Sequence, residues 1–188
     1  TLLIEMDSMP SVKPSSISYL TCIIAWGRSN KTDKFHRVKE LLFRFKEAHA
    51  KGKLTGRITV SVYNSALSVC YHNTSPELQD DAWLTALTTM EELRKMKRMH
   101  PDHTTYLSLF RVMGMLLGHD HDRENRDNIL QQEFAHCIHD GLVSREILEM
   151  VYMVSPRIFH HFFGESEKPK TVTSQGNWST KALEDYRN

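Results

Sequence analysis

Apolar residues recur at intervals of three and four along most of the chain, the period that lays a single stripe along one face of a helix. Val38, Leu41, Leu42 and Phe45 follow the i, i+3, i+4, i+7 spacing, and Lys39, Glu40, Arg44 and Lys46 are left for solvent. Trp83, Leu87, Met90 and Leu93 predict a similar stripe, and Leu130, Phe134 and Ile138 a third at steps of four. The pattern predicts helices over residues 16–28, 33–50, 60–71, 77–98, 102–117 and 124–140, then a shorter pair over 144–154 and 156–163. Residues 29–32, 73–76 and 118–123 read as turns and 52–56 as a linker, while the polar stretch from 165 onward reads as an irregular tail docked by Trp178 and Tyr186. Eight glycines and six prolines are few enough to agree with an all-α fold.

The same motif opens three of these helices: Ser18-Tyr19-Leu20-Thr21-Cys22-Ile23, Val62-Tyr63-Asn64-Ser65-Ala66-Leu67 and Thr105-Tyr106-Leu107-Ser108-Leu109-Phe110. The tyrosines stand 44 and 43 residues apart, and an apolar position in a second helix follows each after 23 or 24 residues, at Leu42, Leu87 and Leu130. Pro14 and Pro101 each precede a landmark tyrosine by five residues, where proline can open a helix but not continue one. A pair of such helices cannot bury its apolar face alone, so neighbouring pairs must stack, and the expected architecture is a helix-turn-helix repeat solenoid. Residues 1–15 then end a preceding repeat, 16–59, 60–102 and 103–144 are repeats, 145–164 are capping helices and 165–188 the tail. The chain starts without Met, and Leu2 to Met9 reads as the last turns of an apolar-faced helix, so an upstream hairpin and any targeting segment are expected to precede it.

These dipeptides, Ser18-Tyr19, Val62-Tyr63 and Thr105-Tyr106, follow Lys13-Pro14-Ser15 or Pro101-Asp102 in two of the three units and lead into amphipathic second helices. Together they resemble a divergent, loop-extended form of the pentatricopeptide repeat over about residues 1–150. The resemblance implies recognition of single-stranded RNA, one base per repeat, by a pair of side chains in each unit. Carried onto this sequence, the pairs are Leu20 with Thr59, Asn64 with Asp102, and Leu107 with Ser144. Asn64 with Asp102 matches a combination that favours uracil in that family. An Asn amide offers donors and an acceptor to a base edge, and a carboxylate can orient it. Leu20 and Leu107 have no group to hydrogen-bond a base. Ile17, Ser61 and Thr104, two positions before the tyrosines, fall where the family sandwiches bases. The resemblance also implies a mitochondrial or plastid protein acting in transcript processing, stability or translation. The alternative is a protein-interaction scaffold on the same solenoid, within a ribonucleoprotein.

Charge narrows how RNA would be held. Lys plus Arg (24) nearly balances Asp plus Glu (23), so the chain is no polycation and phosphate contact must be local. Arg28, Lys31, Lys34 and Arg37 gather at the first turn, Lys51, Lys53 and Arg57 at the linker, and Arg94, Lys95, Lys97 and Arg98 at the end of the fourth helix. Arg28, Lys31, Lys34 and Arg57 are the leading phosphate candidates. Basic residues also complement helix C-termini, and repeated tyrosines are more often packing residues than stacking platforms.

Other chemistry is not supported by the motifs. Asp120, Asp122 and Glu124 begin an oxygen-ligand series, but Asn125 stands where a calcium loop needs glycine and Gln131 where it needs glutamate. His136, Cys137 and His139 lack the i, i+4 spacing of a helical zinc pair, so no metal or other cofactor is expected. Cys22, Cys70 and Cys137 are an odd, widely spaced set that reads as reduced thiols in a reducing compartment. The sequons at Asn73 and Asn177 are too short to outweigh that. No nucleophile elbow, dinucleotide fingerprint or phosphate loop is present, so no enzyme is expected, and no apolar run is long enough to span a membrane.

Overall fold

The computed structural model describes residues 13–72, 75–115, 123–165 and 169. All regular elements among the described residues are helical, apart from one isolated bridge between Ser15 and Thr55. Most of the predicted tail, including Trp178 and Tyr186, lies outside the described residues, as do Leu2 to Met9, Asn73 and the loop around Asp120. No helix among the described residues is long and apolar enough to cross a membrane.

The chain divides into two compact units, Thr1–Pro101 and Asp102–Asn188. In the first, α1 is Ser16–Gly27, α2 is Lys34–Ala50 and α3 is Ser61–Tyr71; a 3-10 turn at Pro76–Leu78 leads into α4, Gln79–Lys95. Helix α1 packs on both α2 and α3, and α3 packs on both α2 and α4. In the second unit, α5 is His103–Met115, α6 is Arg123–His139, α7 is Arg145–Val154 and α8 is Pro156–Phe163. Here α5 packs on α6 and α7, and α8 packs on α6 and α7. Each unit is thus two helical hairpins, with the first helices of the two hairpins packed together.

Local chemistry fixes where the helices start. Ser15 caps α1: its hydroxyl accepts from the Ser18 amide, and the Ser18 hydroxyl accepts from the Ser15 amide, each at 3.2 Å. Asp102 opens α5 in the same way, its Oδ1 accepting from the Thr105 amide at 2.9 Å while Thr105 Oγ1 accepts from the Asp102 amide at 3.0 Å. Ser144 and Ser155 cap α7 and α8 through the amides three residues on.

The ends of α2 and α6 share one device. Gly52 (φ +63°) donates its amide to the His49 carbonyl at 3.0 Å, and Lys53 donates to Ala48 at 2.8 Å. Gly141 (φ +69°) and Leu142 repeat the two bonds to Ile138 and Cys137, at 3.0 and 3.1 Å. This is the left-handed glycine stop that satisfies the last carbonyls of a helix. Beyond it, each chain segment returns to the start of its own hairpin. The Thr55 side chain and amide reach the Pro14 carbonyl, and the Ser144 hydroxyl meets His103 Nε2 at 2.7 Å, both across 41 residues.

The three landmark tyrosines belong to the core: Tyr19 is 1% exposed, and Tyr63 and Tyr106 are fully buried. Phe45 sits between two of them, with ring centroids 5.5 Å from Tyr19 and 5.6 Å from Tyr63, both edge-on. Burying each such ring contributes about 1.5–3 kcal/mol, and the edge contacts roughly another 0.5–1.5 kcal/mol per pair. In the second unit Phe134 plays that part, edge-on to Phe110 and Phe162.

The stripes of α2 and α6 are buried as predicted, but that of α4 is rotated. Its buried face is Ala82, Thr85, Ala86, Thr89, Met90 and Leu93, whereas Trp83 and Leu87 flank it half-exposed. Small side chains make up most of that buried face, and Trp83 and Leu87 lie at its edges. Helix α4 also stops at Lys95 rather than 98, because Met96 turns extended (φ −80°, ψ 128°). Its sulfur accepts the Tyr63 hydroxyl at 3.9 Å.

Candidate nucleic-acid interface

The positions matched to base reading are mostly committed to packing or capping. Leu20 on α1 and Thr59 ahead of α3 are half-buried. Asn64 on α3 is 9% exposed and Leu107 on α5 is 7% exposed. One oxygen of Asp102 receives the Thr105 amide and hydroxyl, and the Ser144 hydroxyl engages His103 and the Ile147 amide. Asn64 belongs to the first unit and Asp102 to the second. The stacking positions are the open ones: Ile17 is 71% exposed, and Ser61 and Thr104 are exposed at the starts of α3 and α5.

The basic groups separate into two kinds of surface. Around the first turn, Arg28 and Lys31 are exposed and Lys34 is half-buried. Arg37 there is held by Asp33 at 3.1 Å and Glu40 at 3.5 Å, with its guanidinium 5.8 Å from the centre of the Trp26 ring system. Lys31 and Lys34 line an open groove together with Asp33 and Glu77. The Ser75 hydroxyl holds the Glu77 carboxyl below its ordinary range, so the carboxylate stays charged and offsets the cations.

The second surface has no such offset. Residues 56–58, where the linker leads towards α3, and 96–99 beyond α4 enclose a cleft of about 540 Å³. Its polar lining is His49, Arg57, Lys97 and Arg98; its apolar lining is Ile58, Met96 and Met99; no carboxylate lines it. Lys51, just beyond α2, and Lys95, the last residue of α4, are tied to Glu47 at 2.9 Å and Glu91 at 2.6 Å. Among the described residues no ion pair or side-chain hydrogen bond engages Arg57, Lys97 or Arg98, and all three are exposed.

Two local features build this cleft. After Gly52 ends α2, the Thr55 amide is pinned to Pro14 and Gly56 (φ +73°) turns the chain so that Arg57 and Ile58 face residues 96–99. On the other side, the early end of α4 at Met96 takes Lys97 and Arg98 out of the helix. The sequence showed two separate basic clusters; the structure joins Arg57 from one with Lys97 and Arg98 from the other. His49, Ile58, Met96 and Met99 were not singled out, because nothing in their spacing marks them as neighbours.

The cysteines and histidines make no comparable site. All three thiols are free. Burial, with the nearby Asp81 charge, pushes Cys70 up to about 12, and burial followed by Asp140 and Glu133 pushes Cys137 further. His136 and His139 are exposed while Cys137 faces the core, and no three metal-ligating side chains gather among the described residues. Compared with protein-family models, curated proteins and solved structures, the chain matches none.

Proposed function

We propose that this chain is a helical-hairpin repeat protein that binds single-stranded RNA, as its resemblance to pentatricopeptide repeats implies, and that it holds the strand mainly by its phosphates. The observation that supports this most is the cleft in which Arg57, Lys97 and Arg98 stand together without a carboxylate. Exposed cations left unpaired in one place repel each other at a cost that an anionic partner removes. With a net charge of +1, the chain has no bulk field to attract nucleic acid, so a local grip of this kind is what binding requires. In this reading the hairpins stack as a solenoid, the open positions Ile17, Ser61 and Thr104 meet bases, and base reading by Asn64 and Asp102 is secondary. A mitochondrial or plastid setting and a role in transcript processing, stability or translation follow the same resemblance, and no catalysis is involved.

Fluorescence anisotropy with single-stranded RNA across a salt series tests it. Three phosphate contacts predict a log K against log salt slope of about −2 for a single strand. Arg57→Ala with Arg98→Ala should flatten that slope by about 1.4, because two contacts are lost. Asn64→Ala and Asp102→Ala should leave the slope unchanged. Absence of binding at low salt would remove the RNA reading.

A protein-interaction scaffold is the second reading, and one surface favours it. Phe43 and Leu84 are 62% and 60% exposed on α2 and α4, two helices joined by the ion pairs Lys39 with Asp81 and Lys46 with Glu92. Assembly with a protein partner that survives ribonuclease and is lost in Phe43→Glu would favour this reading.

A further inference from the structure

Resting on the RNA-binding reading, we infer that the cleft between residues 56–58 and 96–99 is a one-nucleotide subsite, with phosphate held by Arg57, Lys97 and Arg98 and the base laid on Met96, Met99 and Ile58. A phosphate grip alone needs only cations on a surface. This cleft sets half-buried apolar side chains directly beside them. Its volume of about 540 Å³ exceeds what a phosphate fills and falls within the usual range of small-ligand sites, roughly 300–1,000 Å³.

The apolar lining suits a flat ring of any identity. Methionine is flexible and polarisable, and thioethers make favourable contacts with aromatic rings. No Asn or Gln side chain lines the cleft, and with the three cations engaged on phosphate the base is held by stacking, which tolerates any base. Met96 is held in place from behind by the Tyr63 hydroxyl. Burial, followed by the charge of Glu92, raises Tyr63 above its ordinary range, so this hydroxyl remains a donor at any physiological pH. Gly56 leaves open space where a side chain would project, since a Cβ there would meet nothing within 4 Å.

The test uses the full chain with carbon-13 methyl-labelled methionine, titrated with AMP, UMP, uridine and inorganic phosphate at constant ionic strength. AMP and UMP are expected to shift the Met96 and Met99 methyl signals with similar affinity, about tenfold tighter than phosphate, as stacking of one base supplies, and about tenfold tighter than uridine, which lacks the phosphate. Arg57→Ala with Arg98→Ala should weaken both nucleotides about fivefold or more. Met99→Ala should bring AMP down towards the affinity of phosphate while leaving phosphate itself unchanged. Equal binding of phosphate and AMP would overturn the subsite, as would unmoved Met96 and Met99 signals while longer RNA still binds; in both cases the RNA reading survives. Shifts with AMP but no binding of longer RNA would keep the subsite and remove the RNA reading. No response to either ligand removes both.

Discussion

The Tyr106 hydroxyl donates to Asp140 Oδ2 at 2.7 Å, joining the first turn of α5 to the residue that ends α6. The ring supplies core contact and the hydroxyl a charge-assisted bond at the mouth of the hairpin. Tyr106→Phe keeps the first and removes the second, so a loss of about 1.5–3 kcal/mol is expected in urea unfolding. An unchanged midpoint would mean that water replaces the phenol at no cost.

Phe45 lies between Tyr19 and Tyr63, so its removal opens a cavity that two rings from two hairpins cannot fill together. Phe45→Ala should cost about 3–5 kcal/mol, more than any surface change on α2. The exposed Phe43 is its control: Phe43→Ala, two residues away on the opposite, outer face, should change stability by less than about 0.5 kcal/mol.

Glycine at the end of α1 is a packing residue. A Cβ on Gly27 would come within 2.7 Å of Val69 Cγ2, where α1 meets α3. Gly27→Ala should therefore destabilise by about 1–3 kcal/mol even though alanine favours a helix. Adding Val69→Ala should recover part of the loss. Additive losses in the double variant would contradict the contact. Gly52→Ala and Gly141→Ala, by contrast, meet no neighbour and should each cost about 1–2 kcal/mol from the left-handed backbone alone.

Alkaline pH should weaken the fold through Cys70. Its thiol moves from 9.0 to about 12 on folding, so the folded chain holds that proton more tightly. The sign follows: this contribution is intact below pH 9 and shrinks as pH rises towards 12, by at most about 1.4 kcal/mol per pH unit. Cys70→Ala should show a shallower loss between pH 8 and 10 than the parent chain. Parallel curves would indicate that the unfolded thiol is equally hard to ionise.

Helices were legible wherever the burial stripe used large residues, as at Val38, Leu41, Leu42 and Phe45, because size and period there report the same face. The stripe of α4 misled, because its buried positions are Ala82, Thr85, Ala86 and Thr89, whose small or hydroxylated side chains carry little hydrophobic signal. Nor does the sequence show α4 ending at Lys95. Met96, Lys97 and Arg98 are good helix formers locally, and the Tyr63 contact that accompanies the stop is a tertiary one. The cleft was illegible for a related reason. Arg57 and Arg98 become neighbours only after α3 and α4 have folded between them, and no periodicity records that.

The return of Thr55 to Pro14 changes what counts as the end of the first hairpin. Judged by helices alone, the chain could be severed after Ala50 with nothing lost. Severed there, the Pro14 carbonyl gives up its amide, and the Gly52 stop that satisfies the final carbonyls of α2 goes with it. A hairpin moved, duplicated or grafted into another helical protein should therefore carry the segment that follows it at least through Thr55. The portable module is the hairpin together with the strap that closes it.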